Sequence, residues 1–188
     1  MIHDDNLKIN GWMDPIELDW LYHLAFTSRE SLDIVEIGSW LGRSSYALAS
    51  GIKDSRKETR LICIDSFQPV DLFQIEYIKK NDVIGEFNKN MSVFNNWKLI
   101  IKKSEDAILD FEDESLGIVF IDSDHKYDSV IGDIERWYEK VKKYCVICGH
   151  DYSVNYPDVI KAVNDFFGEL NFDKVSNTSI WFKIKGVD

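Results

Sequence analysis

With 188 residues, a 45% apolar fraction and a formal net charge of −11, the chain reads as one domain with a real core and an average field that repels a nucleic-acid backbone. No apolar run approaches the length that spans a bilayer, and the opening MIHDDNLKIN has neither the basic nor the apolar segment of a signal peptide. Three cysteines do not describe a disulfide framework, so a cytoplasmic protein is the expectation.

The first helix signal is Asp14-Pro15-Ile16-Glu17. It has an N-cap acid, a proline at the first helical position and a glutamate at the third, which is a capping box. Its helix should turn Leu18, Leu21, Tyr22 and Ala25 inward. Leu32 to Ile37 predicts a strand that runs into Gly38. A helix follows over Leu41 to Ser50, with Gly51 as the expected C-cap. Leu61 to Ile64 predicts a second strand, Val70 to Phe94 helix in two pieces, and Trp97 to Ile101 a third strand. Ser104 is expected to cap a short helix through Phe111, with Glu105 and Asp106 in its first turn. Gly117 to Asp122 is a further strand. Val130, Ile134, Trp137 and Val141 then give a helix, with Lys140, Lys142 and Lys143 in its last turn. Tyr144 to Cys148 is a strand. Asn155-Tyr156-Pro157-Asp158 opens a helix carrying Ile160, Val163, Phe167 and Leu170. Two strands close the chain over Phe172 to Ser176 and Ser179 to Lys185. This alternation predicts βαβ units and a parallel sheet, with at least one of the last two strands antiparallel. No repeat or linker divides residues 1–188.

Chemistry gathers where strands end. VFIDSDHKY, Val119 to Tyr127, runs from a buried strand straight into Asp122, Asp124 and His125, and ligands of open α/β sheets bind just past the carboxyl ends of strands. VEIGSWLGRSS, Val35 to Ser45, places Gly38 and Gly42 in a strand-to-helix turn. Trp40 stands where a dinucleotide fingerprint has its second glycine, and Glu36 disfavours a dianion, so the turn suits a nucleoside-type ligand that is not strongly anionic. Asp65 ends the second strand, where an acid suits a ribose diol; capping the next helix is the competing role. Asp124 is read as a cap for the following helix rather than a catalytic group. His125 would be an ordinary loop residue but for Asp122 beside it. Cys145 and Cys148 lie three apart in a strand and face opposite ways, so with Cys63 they read as core rather than a metal site. Trp12, Trp20 and the aromatics between Phe67 and Phe94 are read as lid or core.

Glu36-x-Gly38-x-x-x-Gly42-x-Ser44, Asp65, Ser104-Glu105-Asp106-Ala107, FIDSDHKYDSV and ICGHDY together resemble the class I S-adenosylmethionine-dependent methyltransferases. More narrowly they are similar to the small-domain family that includes macrocin O-methyltransferase, over about residues 32–184 by element order. The resemblance implies a Rossmann-like, doubly wound α/β sheet of seven strands, one of them antiparallel near the C-terminus, with helices on both faces. It implies bound S-adenosylmethionine and a divalent metal such as Mg²⁺. Glu36, Gly38, Ser39 and Ser44 would line the methionine end of the cofactor, with Trp40, Gly42 and Asp122 among its contacts. Asp65 would hold the ribose and Ser104 would lie by the adenine. Asp122 and Asp151 would be metal ligands, and His150, where metal-dependent relatives often carry an acid, a third. His125 falls at the position of the catalytic base. Residues 1–30 would form a cap helix and 66–96 a lid or substrate region.

Methyl transfer needs an electron-rich acceptor, which a bound cation and a base with a pKa near 6.5 can supply. The expected reaction is therefore metal-dependent O-methylation of a small-molecule or sugar hydroxyl, with no nucleic acid or membrane partner and a homodimer left open. The alternatives are a metal-independent methyltransferase using His125 alone and a non-catalytic S-adenosylmethionine-binding partner protein. An NAD-dependent oxidoreductase fits least well with Trp40 and Glu36.

Overall fold

The centre of the molecule is set by runs too apolar to sit at a surface. β1 (Asp33–Ile37), β2 (Leu61–Ile64) and β4 (Leu116–Ile121) are buried along almost their whole length, as strands covered on both faces must be. The computed structural model describes residues 4–29 and 32–187; residues 1–3, 30–31 and 188 of the expected domain and cap region lie outside the described residues. With β3 (Trp97–Ile100), β5 (Val141–Gly149), β6 (Asp173–Lys174) and β7 (Trp181–Ile184), the strands form one sheet of order β3-β2-β1-β4-β5-β7-β6. β1 to β5 are parallel, and β7 runs antiparallel to β5 and to β6. This is the Rossmann-like doubly wound sheet expected from the sequence, with its single antiparallel strand near the C-terminus.

Register decides what meets at the carboxyl edge. Ile37 pairs with Ile64 and Ile121, and Ile121 with Gly149. The ladder continues one residue further: Gly38 N donates to Ile64 O, Asp122 N to Ile37 O and His150 N to Ile121 O. Gly38, Asp65, Asp122 and His150 therefore stand side by side, at the point between β1 and β4 where the strand order reverses.

Side chains alternate between the two faces. On one face α2 (Pro15–Thr27), α3 (Arg43–Ser55) and α5 (Val83–Met91) cover Ile34, Phe120 and Cys148. On the other α7 (Tyr127–Lys140) and α8 (Pro157–Phe167) cover Val35, Val119 and Ile147. Cys145 and Cys148 fall in opposite layers as expected, and both thiols are free and buried. The shorter helices are α1 (Asp4–Leu7), α4 (Leu72–Ile78) and α6 (Ser104–Ala107), the last followed by a 3₁₀ turn over Ile108–Asp110. No helix among the described residues is long and apolar enough to cross a membrane.

α2 begins as expected: Asp14 N donates to Glu17 Oε2 at 3.0 Å, and Leu18, Leu21, Tyr22 and Ala25 are buried. Other ends differ. Gly51 does not cap α3, which continues to Ser55 and stops on Arg56 in the left-handed region. Gly51 is instead where α2 crosses α3, and a Cβ there would sit 2.2 Å from Tyr22 O. Ser104 does not cap α6; Lys103 does, and the serine hydroxyl is used elsewhere. Val141 begins β5, which takes Lys142 and Lys143 out of the helix. α8 follows Tyr156 and ends at Phe167, leaving Leu170 exposed in the loop beyond Gly168.

The Gly51 contact yields a prediction. Gly51→Ala gains about 1 kcal/mol of helix propensity, but overpacking against backbone costs about 1–3 kcal/mol, and at 2.2 Å the upper end applies. The variant should unfold at a lower urea concentration with an unchanged slope; an equal or higher midpoint would show that the two helices slide apart freely.

Candidate active site

The glycine turn after β1 is held open by geometry that only one residue type allows. Gly38 has φ +87°, and a Cβ there would lie 2.1 Å from Asp122 O. Trp40 follows at φ 45°, an uncommon conformation for a bulky residue. Asp65 holds both in place. Its Oδ2 accepts from Ser39 N at 2.9 Å and Trp40 N at 2.8 Å, and its Oδ1 from Phe67 N at 2.6 Å. Burial raises the Asp65 pKa, and these three N–H donors pull it back. Oδ1 thus keeps spare acceptor capacity, and Oδ2 is committed to the turn.

Beneath the turn lies Glu36, fully buried. Its Oε2 accepts from the hydroxyls of Ser39 (2.8 Å) and Ser45, and Oε1 has no hydrogen-bond partner among the described residues. Burial raises its pKa, against the pull of the neighbouring serines.

Two clefts open at the strand ends. The larger, about 510 Å³, runs from Asp65 and Phe67 past Asp122 and Ser123 to Ser104. The smaller, about 130 Å³, is walled by Trp12, Trp40, His125, His150, Asp151 and Tyr156. Gly38, Trp40, Asp122 and Ser123 line both, so the clefts meet over the glycine turn.

The smaller cleft concentrates charge. One ligand-capable atom each of Asp122, His150 and Asp151 lies within 4.8 Å of the others. His150 Nδ1 is 3.2 Å from Asp151 Oδ1 and 3.7 Å from Asp122 Oδ1. On its far side Nε2 is 3.0 Å from Glu17 Oε1 and 2.9 Å from Ser179 Oγ. Burial disfavours the imidazolium, but the surrounding carboxylates, Asp122 foremost, outweigh it and lift the His150 pKa to about 11. Burial pushes Asp122 up, the Asp151 charge adding to it and His150 opposing it. Burial also acts to raise Asp151, but hydrogen bonds to His125 and His150 win and hold it well below the usual range. Burial likewise works against Glu17, which His150 nonetheless brings down to about 2.

His125 Nε2 is 2.8 Å from Asp151 Oδ2, and its ring stacks on Tyr156 with centroids 4.3 Å apart. The Asp151 hydrogen bond raises its pKa, partly opposed by burial. Asp124 does not cap α7, where Lys126 holds the cap position; its carboxylate instead accepts from Ser129 Oγ at 2.7 Å and from His125 N at 2.8 Å.

Most sequence-expected residues are brought to this edge: Gly38, Ser39, Trp40, Ser44, Asp65, Asp122, His125, His150 and Asp151 all line a cleft. Two do not. Glu36 supports the turn from below, and Gly42 (φ +85°) faces the Phe87 ring. Ser104 lies at the distant end of the larger cleft, its hydroxyl donating to Asp133 Oδ1 at 2.5 Å and accepting from Trp137 Nε1 at 2.7 Å. Trp12 packs edge-on against Phe73 and lies near Trp40, whereas Trp20 packs on Phe182. Sequence reasoning missed Glu17, Tyr156 and Asp133. Only Asp133 left a trace: it falls beside Val130, Ile134 and Trp137 on the buried stripe of α7, where a lone acid needs partners, and it finds Ser104, Ser123 and Arg136.

A protein-family profile described as a methyltransferase domain matches residues 35–152. An uncharacterised protein of Acanthamoeba polyphaga mimivirus is 35% identical over 164 residues, covering 83% of this chain and 69% of that one. An uncharacterised protein of Sinorhizobium fredii is 25% identical over 135 residues; the match takes in 72% of this chain and only 14% of that longer protein. Among solved structures, the SAH-bound methyltransferase PaMTH1 of Podospora anserina superposes with a TM-score of 0.70 at 15% identity, covering 100% of this chain and 89% of that one. The O-methyltransferase NovP gives 0.68 at 16% identity, covering 90% and 79%. At these identities the structures share the fold.

Asp65→Ala would leave the N–H groups of Ser39, Trp40 and Phe67 without their acceptor. Hydrogen bonds to a charged group contribute about 1.5–3 kcal/mol each, so a loss of at least about 2 kcal/mol is expected in urea unfolding. An unchanged midpoint would mean that the turn holds Trp40 at positive φ unaided.

Proposed function

The chain belongs to the methyltransferase-domain family, and from that premise we propose that it transfers the methyl group of S-adenosylmethionine to a hydroxyl of a small molecule or sugar, with a divalent cation at Asp122, His150 and Asp151. The observation that carries this reading is the junction of the two clefts over Gly38 and Asp122, with His125 on the wall of the smaller one. The cofactor would occupy the larger cleft and the acceptor the smaller, so the methyl group would cross where they meet.

The residues fit the cofactor. Asp65 Oδ1 has capacity for a ribose hydroxyl, and the buried Trp40 indole N–H has no acceptor among the described residues, which a ligand carboxylate would supply. The larger cleft reaches Ser104, which suits the adenine end. The SAH-bound Podospora protein supports the same cofactor, and NovP supports an oxygen acceptor.

The donor set fits a metal too. Two carboxylates satisfy a hard divalent cation, and the imidazole nitrogen widens the choice from Mg²⁺ towards Mn²⁺ and its neighbours. Such a cation would lower the pKa of an acceptor hydroxyl. His125 takes that proton: with Nε2–H donated to Asp151, Nδ1 is left as the basic atom. Trp12 and Trp40 keep water from the acceptor side. Residues 70–78, with α4 lying beside these rings, would form the lid. The His125–Asp151 pair also favours a second reading, in which this dyad works without a metal.

Calorimetric titration should give saturable binding of S-adenosylmethionine and none of NAD; the reverse would end the methyltransferase reading. His125→Ala should bind the cofactor normally yet lose about 10²–10⁴-fold in rate. Chelator should abolish wild-type turnover, and turnover that survived it would select the metal-free dyad.

A further inference from the structure

Glu17 does more than begin a helix. A capping glutamate needs only the oxygen that accepts from the N-cap, and here that is Oε2, which takes the Asp14 N–H. The other oxygen points inward. Oε1 accepts from Ser179 N at 3.0 Å and Ser179 Oγ at 3.1 Å, and lies 3.0 Å from His150 Nε2. Glu17 is 5% exposed, unusual for a first-turn acid.

The proton inventory places a proton on Nε2. Ser179 Oγ has one proton, and Glu17 Oε1 can only accept it. Nε2 of His150, at 2.9 Å from the same hydroxyl and 3.0 Å from the carboxylate, must then be the donor. With Nε2 protonated, Nδ1 is the nitrogen that faces Asp122 and Asp151, at 3.7 and 3.2 Å, and the one whose proton a bound cation would displace. Metal-binding histidines are held in this way, the second nitrogen donating to a carboxylate that fixes ring and tautomer.

We propose that Glu17 is a positioning residue for the metal group: with Ser179, it locks the His150 ring with Nε2 protonated and Nδ1 facing Asp122 and Asp151, the nitrogen a cation would take in place of its proton. The inference rests on the metal reading above and extends it to residues before and after the matched 35–152 segment. It also gives the N-terminal helix a share in the site, through a side chain joined to the loop that precedes β7.

The test is a Mn²⁺ titration of the full chain, followed by the electron paramagnetic resonance of free Mn²⁺. Calorimetry with S-adenosylhomocysteine and thermal melting run beside it. Glu17→Gln keeps the size and capping ability of the side chain but removes its charge. Its Mn²⁺ affinity should fall about 10–100-fold, with cofactor affinity close to wild type and a melting temperature lowered by the lost charge but still above that of the titration. Asp122→Asn, which alters a ligand directly, serves as the control for the site. If Asp122→Asn weakens Mn²⁺ binding and Glu17→Gln does not, the positioning role is wrong and the metal site stands. Equal loss of metal and cofactor affinity in Glu17→Gln would make Glu17 a general structural residue and overturn the inference. A wild-type protein that binds no Mn²⁺ overturns the metal reading and this inference with it. In ¹⁵N-imidazole spectra of the Mg²⁺-loaded wild type, His150 should show protonated Nε2 and unprotonated Nδ1; the opposite tautomer refutes the lock.

Discussion

Three carboxylates converge on one imidazole, and a buried charge cannot stand without a partner. Asp122 and Asp151 face one nitrogen of His150 and Glu17 faces the other. A lone ion moved into a protein interior costs several kcal/mol after relaxation, so each member is tolerable only because the others are there. The cluster joins the ends of β4 and β5, the first turn of α2 and the loop before β7. Removing one member would leave another charge uncompensated, and the strand ends would lose their common anchor.

The cluster forms because the sheet is in register. Parallel pairing that aligns Ile37, Ile64, Ile121 and Gly149 puts the next residue of each strand on one line. Alternation then sends Asp122 and His150 to the face covered by α2 and α3, because Phe120 and Cys148 already face it. The same parity carries Asp65 to the turn after β1, where its carboxylate collects three backbone N–H groups. A one-residue slip would turn all three inward groups to the α7 and α8 side, into the layer of Val119, Ile121 and Ile147.

Periodicity made the sheet and most helices legible, since buried runs such as LICI and GIVFI and the stripe Val130, Ile134, Trp137 have few other uses. The strand-end acids and the glycine turn were legible for the same reason: a polar group at the end of a buried strand asks for an explanation. What stayed hidden depended on contacts distant in sequence. Gly51 resembles a cap until α2 is laid across it, and Ser104 resembles one until Asp133 and Trp137 claim its hydroxyl. Glu17 was visible as a capping residue, but its other oxygen meets a loop 162 positions away. Leu170 fits the stripe of α8, but the helix ends before reaching it.

α4 buries none of its seven residues, whereas α5 beside it sinks Val83, Phe87 and Met91 into the core. Leu72 is 81% exposed, and α4 is tied to the body by the rings of Phe73 and Tyr77 on Trp12 and Trp40, by half-buried Ile78 and by the Tyr77 hydroxyl donating to Glu86 Oε2. Segments with so little buried apolar surface open locally at a free energy far below that of global unfolding. Amide protons of Leu72 to Ile78 are therefore expected to exchange with solvent in excursions that leave the sheet intact. Entry to the smaller cleft is thereby uncoupled from the stability of the domain: the wall beside it can breathe on its own clock.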